Sequence, residues 1–189
     1  MQVFLIAALT ADGFIARSND DKSFDWTSLA DRKFYVQKIK QADAIVMGRK
    51  SFETFTRYPK DSRWLIYSSK PEDFKNPKPN IINAKSTSEP AKNLLARLKK
   101  DNCQQVAICG GQSIYSLFVK TGLVDTLYLT IEERVEFGQG VGLLNSESKI
   151  KNQKFGSKKI ILFGFEYQLV NTKQLAEKTK LLEYKLIRN

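Results

Sequence analysis

Residues 44–55 read AIVMGRKSFETF. An unbroken apolar run of four ends at Gly48, and Arg49, Lys50 and Ser51 open the next segment. So short a run, closed by glycine, suits a strand buried on both faces. Residues 50–56 suit a short helix. A buried strand feeding a helix belongs to an open α/β sheet, where ligands bind at the carboxyl ends of the strands. Free amide N–H groups at the helix start, beside two cations and a hydroxyl, suit a phosphate. A helix start with surface basic residues beside it by chance explains the segment equally well.

Working outward, the first two thirds of the chain alternate strand and helix. Residues 2–9 predict a central strand and 10–26 a polar loop. Ser28 to Gln41 reads as a helix. Residues 63–69 and 81–84 predict strands, with a proline-rich loop over 70–80 between them. Residues 88–100 predict a helix with Ser88 as N-cap and Pro90 in its first turn. Residues 105–111 predict a strand ending in two glycines, and 113–122 a helix closed by Gly122. Long strands are expected over 126–137, 158–171 and 179–189. This order predicts one domain spanning residues 1–189, an α/β fold with a mixed, mostly parallel sheet, crossover helices and antiparallel strands at one edge.

Two further segments carry chemistry. In ICGGQSIY (108–115), Gly110 and Gly111 permit a close backbone approach, and the next helix start offers donors to a pyrophosphate. The segment matches neither GxGxxG nor GxxxxGK[ST], and a plain tight turn is the simpler account. In FDWTSLADRKFYVQKI (24–39), Asp31 falls on the apolar stripe of the helix, in line with Tyr35 and Ala42, and Lys38 points into the same arc. Ser28 and Asp31 fit a capping box, so the acid could close the helix start. Alternatively it is a partly desolvated carboxyl of raised pKa that binds an amidine-like ring edge or helps deliver a proton. Both roles can hold together.

Composition narrows the field. The chain has 189 residues, enough for one core, with 42% hydrophobic and 11% aromatic content, as in soluble globular proteins. No apolar run approaches the length of a membrane span, and the opening MQVFLIAALTADG reads as a first strand rather than a leader. Cys103 and Cys109 form no ligand pattern and suggest a reducing, cytoplasmic location. With no histidine, His-dependent triads and His-ligated zinc sites are excluded, and no metal is expected. The net charge of +11 is scattered, which argues against a nucleic-acid surface and fits solvated faces and phosphate-bearing small molecules.

Taken in order, LIAALTADGFIA, Trp26-x4-Asp31, MGRKSFET (47–54), ICGGQSIY and LYLT (127–130) resemble the dihydrofolate reductase superfamily, which includes the reductase domain of riboflavin biosynthesis. The likeness runs through most of residues 1–135. It implies a three-layer fold of that type and a reductase that moves a hydride from NADPH to a pterin or pyrimidine-like small molecule. By position, Asp31 matches the active-site acid. Trp26 matches the tryptophan beside a mobile loop, and Thr130 the threonine that reaches the acid through water. Ile6 and Ala7 match the strand that meets the pterin. Ala8, Ile15 and Ala16 match residues around the nicotinamide. Tyr35 matches an aromatic that packs on the substrate ring. Gly48, Arg49, Lys50 and Ser51 match the phosphate-binding helix start, and Ser68 and Ser69 positions near the 2′-phosphate. Cys109, Gly110, Gly111, Gln112, Ser113 and Ile114 match the pyrophosphate turn, with Cys109 and the following Tyr115 on the substrate side.

Departures accompany the likeness. The loop between Ile15 and Trp26 carries the polar SNDDKSFD, with Phe24 standing in for an apolar lid residue. A proline–glycine–arginine turn is altered near RYPKDSRW, where Arg63, then Arg57, are the candidates to meet a glutamate-tail carboxylate. Cys109 replaces a larger aliphatic residue and would widen the pocket. The first expectation is reduction of dihydrofolate to tetrahydrofolate. The second is reduction of a ribosylamino-pyrimidine phosphate of the riboflavin pathway, without a fused deaminase because the H-x-E…P-C-x-x-C pattern is missing. Monomer and homodimer both stay open.

Overall fold

The computed structural model describes residues 1–54, 62–77, 79, 82–145 and 155–188. In chain order the elements are β1 (Gln2–Thr10), β2 (Phe14–Ala16), α1 (Leu29–Ile39), β3 (Ala44–Gly48), α2 (Arg49–Glu53), β4 (Arg63–Tyr67), β5 (Asn83–Thr87), α3 (Ala91–Lys100), β6 (Gln105–Ile108), α4 (Gln112–Val119), β7 (Thr126–Glu132), β8 (Val141–Gly142), β9 (Lys159–Leu162), β10 (Phe165–Ala176) and β11 (Thr179–Leu186). Nine strands form one sheet in the order β5-β4-β3-β6-β1-β7-β11-β10-β9. From β5 to β7 every neighbour pair is parallel, and β11, β10 and β9 extend the edge antiparallel. The mostly parallel sheet with antiparallel C-terminal strands is as expected.

Strand β1 is apolar almost without interruption because both its faces are covered. Val3, Leu5, Ala7 and Leu9 join one core with Leu94, Leu95 and Leu98 of α3 and Phe118 and Val119 of α4. Phe4 and Ile6 join the other with Ile39 of α1 and Phe52 of α2. Helices on both faces make three layers. Helix α1 is an imperfect amphipath because its stripe carries Asp31 and Lys38. The Lys38 ammonium lies over the Tyr128 ring, 4.3 Å from its centroid, which accommodates a charge against an apolar sheet.

Several expected boundaries change. Ser88 does not cap α3; Pro90 holds the cap position without a side-chain bond, and Thr87 Oγ1 accepts from the Glu89 N–H instead. The strand placed at 81–84 is Asn83–Thr87. The strand ending at Ile108 stops before the glycines, and the one from Thr126 stops at Glu132. Residues 158–171 form two strands of a hairpin, because Phe163 and Gly164 turn the chain with φ +50° and +86°. A two-residue turn with both φ positive matches the twist of paired strands, and glycine takes it without strain. The loop placed over 10–26 contains β2, which pairs with β8 in a separate small sheet. Both cysteines are buried and unbridged. Among the described residues no helix is long and apolar enough to cross a membrane.

Candidate active site

Strand β6 lies between β3 and β1, although the chain visits β3 through β5 first. This reversal opens a crevice at the carboxyl ends of the parallel strands. A cleft of about 540 Å³ sits there. Ile6, Ala7 and Ala8 of β1 line it, as do Gly48 at the end of β3, Tyr67 and Ser68 at the end of β4, and Cys109 and Gly110 beyond β6.

Two helices begin at its wall. Gly48 caps α2 and Gly111 caps α4, and neither cap supplies a side-chain hydrogen bond. Ile114 N–H donates to Gly111 O at 2.9 Å, and the other first-turn N–H groups of both helices lack a side-chain cap where they meet the cleft. The two starts interlock: Gly48 N–H donates to Gly110 O at 2.8 Å, and a Cβ on Gly111 would sit 3.3 Å from Ser51 Oγ. Gly110 has φ +120° and is joined to Gly111 by a cis peptide bond. At that φ only glycine is free of strain. Tyr115, one turn into α4, donates its hydroxyl to Ile6 O at 2.7 Å and ties this wall to β1.

Opposite stands α1. Asp31 lines the cleft and is 7% exposed. Its carboxyl is pushed up to about 6, first by burial away from water; the Thr130 hydroxyl opposes this, the Glu132 charge adds to it, and Thr27 and Arg32 draw it back. Thr130 Oγ1 is buried with no hydrogen-bond partner in normal reach among the described residues. One turn on, Tyr35 packs beside Cys109. Burial pushes the Tyr35 and Tyr115 hydroxyls well up and the Cys109 thiol up to about 12. These three are neutral at ordinary pH, whereas Asp31 titrates close to it. Arg32 donates to the carbonyl oxygens of Phe24 and of Thr27, the latter at 2.8 Å, and pins the segment before α1.

The small sheet covers the cleft, presenting Ile15 and Ala16 from β2 and Val141 from β8. Gln112 secures β8 by donating to Gly142 O at 3.0 Å. The polar loop adds Ser18, Asn19, Asp21, Ser23 and Phe24 to the wall, and Lys50 pairs with Asp20 across the mouth at 3.5 Å.

The structure thus brings together Asp31, Ile6, Ala7, Ala8, Ile15, Ala16, Tyr35, Gly48, Arg49, Lys50, Ser51, Ser68, Ser69 and the whole run from Cys109 to Tyr115. Trp26 and Thr130 lie behind the wall rather than in it. The Trp26 ring packs edge-on against Phe137, 5.4 Å between centroids. Arg63 is a correction. It begins β4, paired in register with Ala44, while the cleft lies at the Tyr67 end, and its guanidinium meets Asp101 at 2.9 Å. Arg63 thus lies at the opposite end of β4 from the residues that line the cleft. Arg57 lies outside the described residues. Thr27, Arg32, Tyr67, Lys70 and Val141 were not anticipated. Lys70 was findable from its place after the two serines, whereas Val141 depends on a pairing 125 residues away from its partner Ala16 in sequence.

The family model described as dihydrofolate reductase matches residues 2–141. YyaP of Bacillus subtilis strain 168, an uncharacterized protein, is 30% identical over 149 residues, covering 74% of this chain and 78% of that one. The fold is shared with a pyrimidine reductase-like protein of Corynebacterium diphtheriae at a TM-score of 0.73 and 17% identity, covering 100% and 92% of the two chains. It is shared also with the Enterococcus faecalis dihydrofolate reductase complexed with NADP(H) and RAB-propyl, at 0.64 and 17% identity, covering 99% and 97%.

Proposed function

The chain belongs to the dihydrofolate reductase family, and from that premise we propose that it transfers a hydride from NADPH to a flat nitrogen heterocycle, with dihydrofolate as substrate. The observation that carries this reading is the buried Asp31 carboxyl, lining the same cleft as the Gly110–Gly111 turn. Bound NADPH would supply the hydride. The residues fit it: uncapped N–H groups at Arg49–Ser51 and at Gln112 and Ser113 suit its pyrophosphate, and Ser68, Ser69 and Lys70 suit the extra phosphate that distinguishes it from NADH. Ala8, Ile15 and Ala16 would flank the nicotinamide, the two alanines leaving room for two rings to stack.

The chain's own contribution is positioning, proton supply and exclusion of water. Tyr35 presents a neutral aromatic face to the second ring. Asp31, titrating near 6, accepts a hydrogen bond from a ring N–H when ionised and holds a proton for a ring nitrogen when neutral. Ile15 and Val141 close the site from above.

A second reading is a ribosylamino-pyrimidine phosphate as substrate. Two observations favour it: the fold is shared with a pyrimidine reductase-like protein, and Arg63 does not reach the cleft to meet a folate tail. The deciding experiment follows NADPH absorbance with dihydrofolate, then with the pyrimidine phosphate. Turnover of the first supports the leading reading, turnover of the second alone replaces it, and consumption of neither overturns both. In whichever reaction proceeds, Asp31→Asn should lower turnover about 100-fold or more while NADPH affinity stays within about twofold; equal turnover would remove Asp31 from the chemistry.

A further inference from the structure

Ser28-x-x-Asp31 has the sequence of a capping box, yet these two residues build only half of one. Asp31 N–H donates to Ser28 Oγ at 3.1 Å. The reciprocal bond, which in a full box would occupy the Asp31 carboxyl, goes elsewhere: Ser28 N–H donates to Glu132 Oε1 at 2.8 Å. The other oxygen, Glu132 Oε2, accepts from Thr179 Oγ1 at 2.9 Å, and that hydroxyl also lies 2.9 Å from Ser28 Oγ. Glu132 and Thr179 are buried register partners on β7 and β11. Glu132 is two residues beyond Thr130, so both point to the same face of the sheet, toward the start of α1.

We propose that Glu132 is a positioning residue for Asp31: it takes over the second half of the capping box, which frees the Asp31 carboxyl to face the cleft with a second buried acid close behind it. The proposal rests on the reading of Asp31 as the acid of the reaction. Glu132 Oε1 accepts from a backbone N–H and Oε2 lies within hydrogen-bond distance of a hydroxyl, so both of its oxygens are tied in place. The groups facing Asp31 are Glu132 from β7, Arg32 and Tyr35 from α1, and Tyr115 from α4. Both tyrosines are neutral. Arg32 is a cation, but its guanidinium is turned to the carbonyl oxygens of Phe24 and Thr27. Glu132 is therefore the charge that can tip Asp31.

Carboxyl-carbon NMR of protein labelled in aspartate and glutamate tests this without substrate. On acidification of the unaltered protein, Asp31 should take up its proton near pH 6; an ordinary aspartate midpoint would overturn the proposal. Glu132→Gln keeps the shape and an acceptor for Ser28 but removes the charge. In that variant the Asp31 midpoint should fall by about one pH unit, and an unmoved midpoint also counts against the idea. If the variant does not fold, the Asp31 midpoint in the unaltered protein decides alone. With a substrate that is turned over, the decline of kcat at rising pH should move to lower pH in Glu132→Gln by the same interval; a profile that stays while the midpoint moves would sever the brace from the chemistry. Failure of both candidate substrates overturns the assigned reaction, and the Asp31 midpoints still decide the role of Glu132.

Discussion

Asp31 costs the protein stability in order to be useful. Its folded-state value near 6 lies above the ordinary 3.8, so between these values the native state binds more protons than the unfolded chain. Stability therefore falls as pH rises through that window, and the loss persists above about 6. Asp31→Asn removes the charge and keeps hydrogen-bonding capacity toward Thr27 and Thr130. The variant should be more stable than the parent by roughly 2 kcal/mol at pH 7.5, with the gain vanishing near pH 4. Calorimetric melting at both pH values measures it. A gain independent of pH would mean that the carboxyl is not destabilised by burial. Tyr115 works in the opposite sense: Tyr115→Phe leaves Ile6 O without its donor inside the fold and should cost about 1–2 kcal/mol in urea unfolding.

Among the elements, the β9–β10 hairpin isolates one backbone effect. Gly164 has φ +86°, and a Cβ there would meet nothing within 4 Å. Gly164→Ala should therefore cost about 1 kcal/mol from backbone strain alone, and Gly164→Asn less, since asparagine tolerates the left-handed region better. Equal losses for the two would point to some other contact. The starts of α2 and α4 obey a different logic. Their caps are glycines that give nothing to the helix, and at other helix starts a serine or aspartate in that place would occupy the N–H groups. Here the missing caps leave those groups to the cleft.

Across the whole sheet, stability should be graded from the centre. Strands β6, β1 and β7 are flanked on both sides and covered by both cores, whereas β9 is an edge and β2 pairs with β8 alone. Native-state hydrogen exchange should show the highest protection in β1, β6 and β7 and early opening of β2 and β8 over the cleft. Uniform protection would contradict a lid that opens independently of the sheet.

Much of this could be read in the chain directly. AIVMG had to be a doubly covered strand because its apolar run is continuous, and that single reading led to the parallel sheet, the crevice and the helix start beside Gly48. The alternation of strand and helix over the first two thirds, and the polar residues that interrupt α1, are local properties of side-chain type and spacing. Local pattern could not say which end of β4 faces the cleft, so Arg63 was assigned to a site at the other end of its strand. Nor could it show that the partner completing the Ser28 capping box is Glu132, more than 100 residues away, or that Val141 closes the lid. Those facts come from strand register and order, which are set when distant segments bury their apolar faces together, and the free energy of that burial belongs to no segment alone.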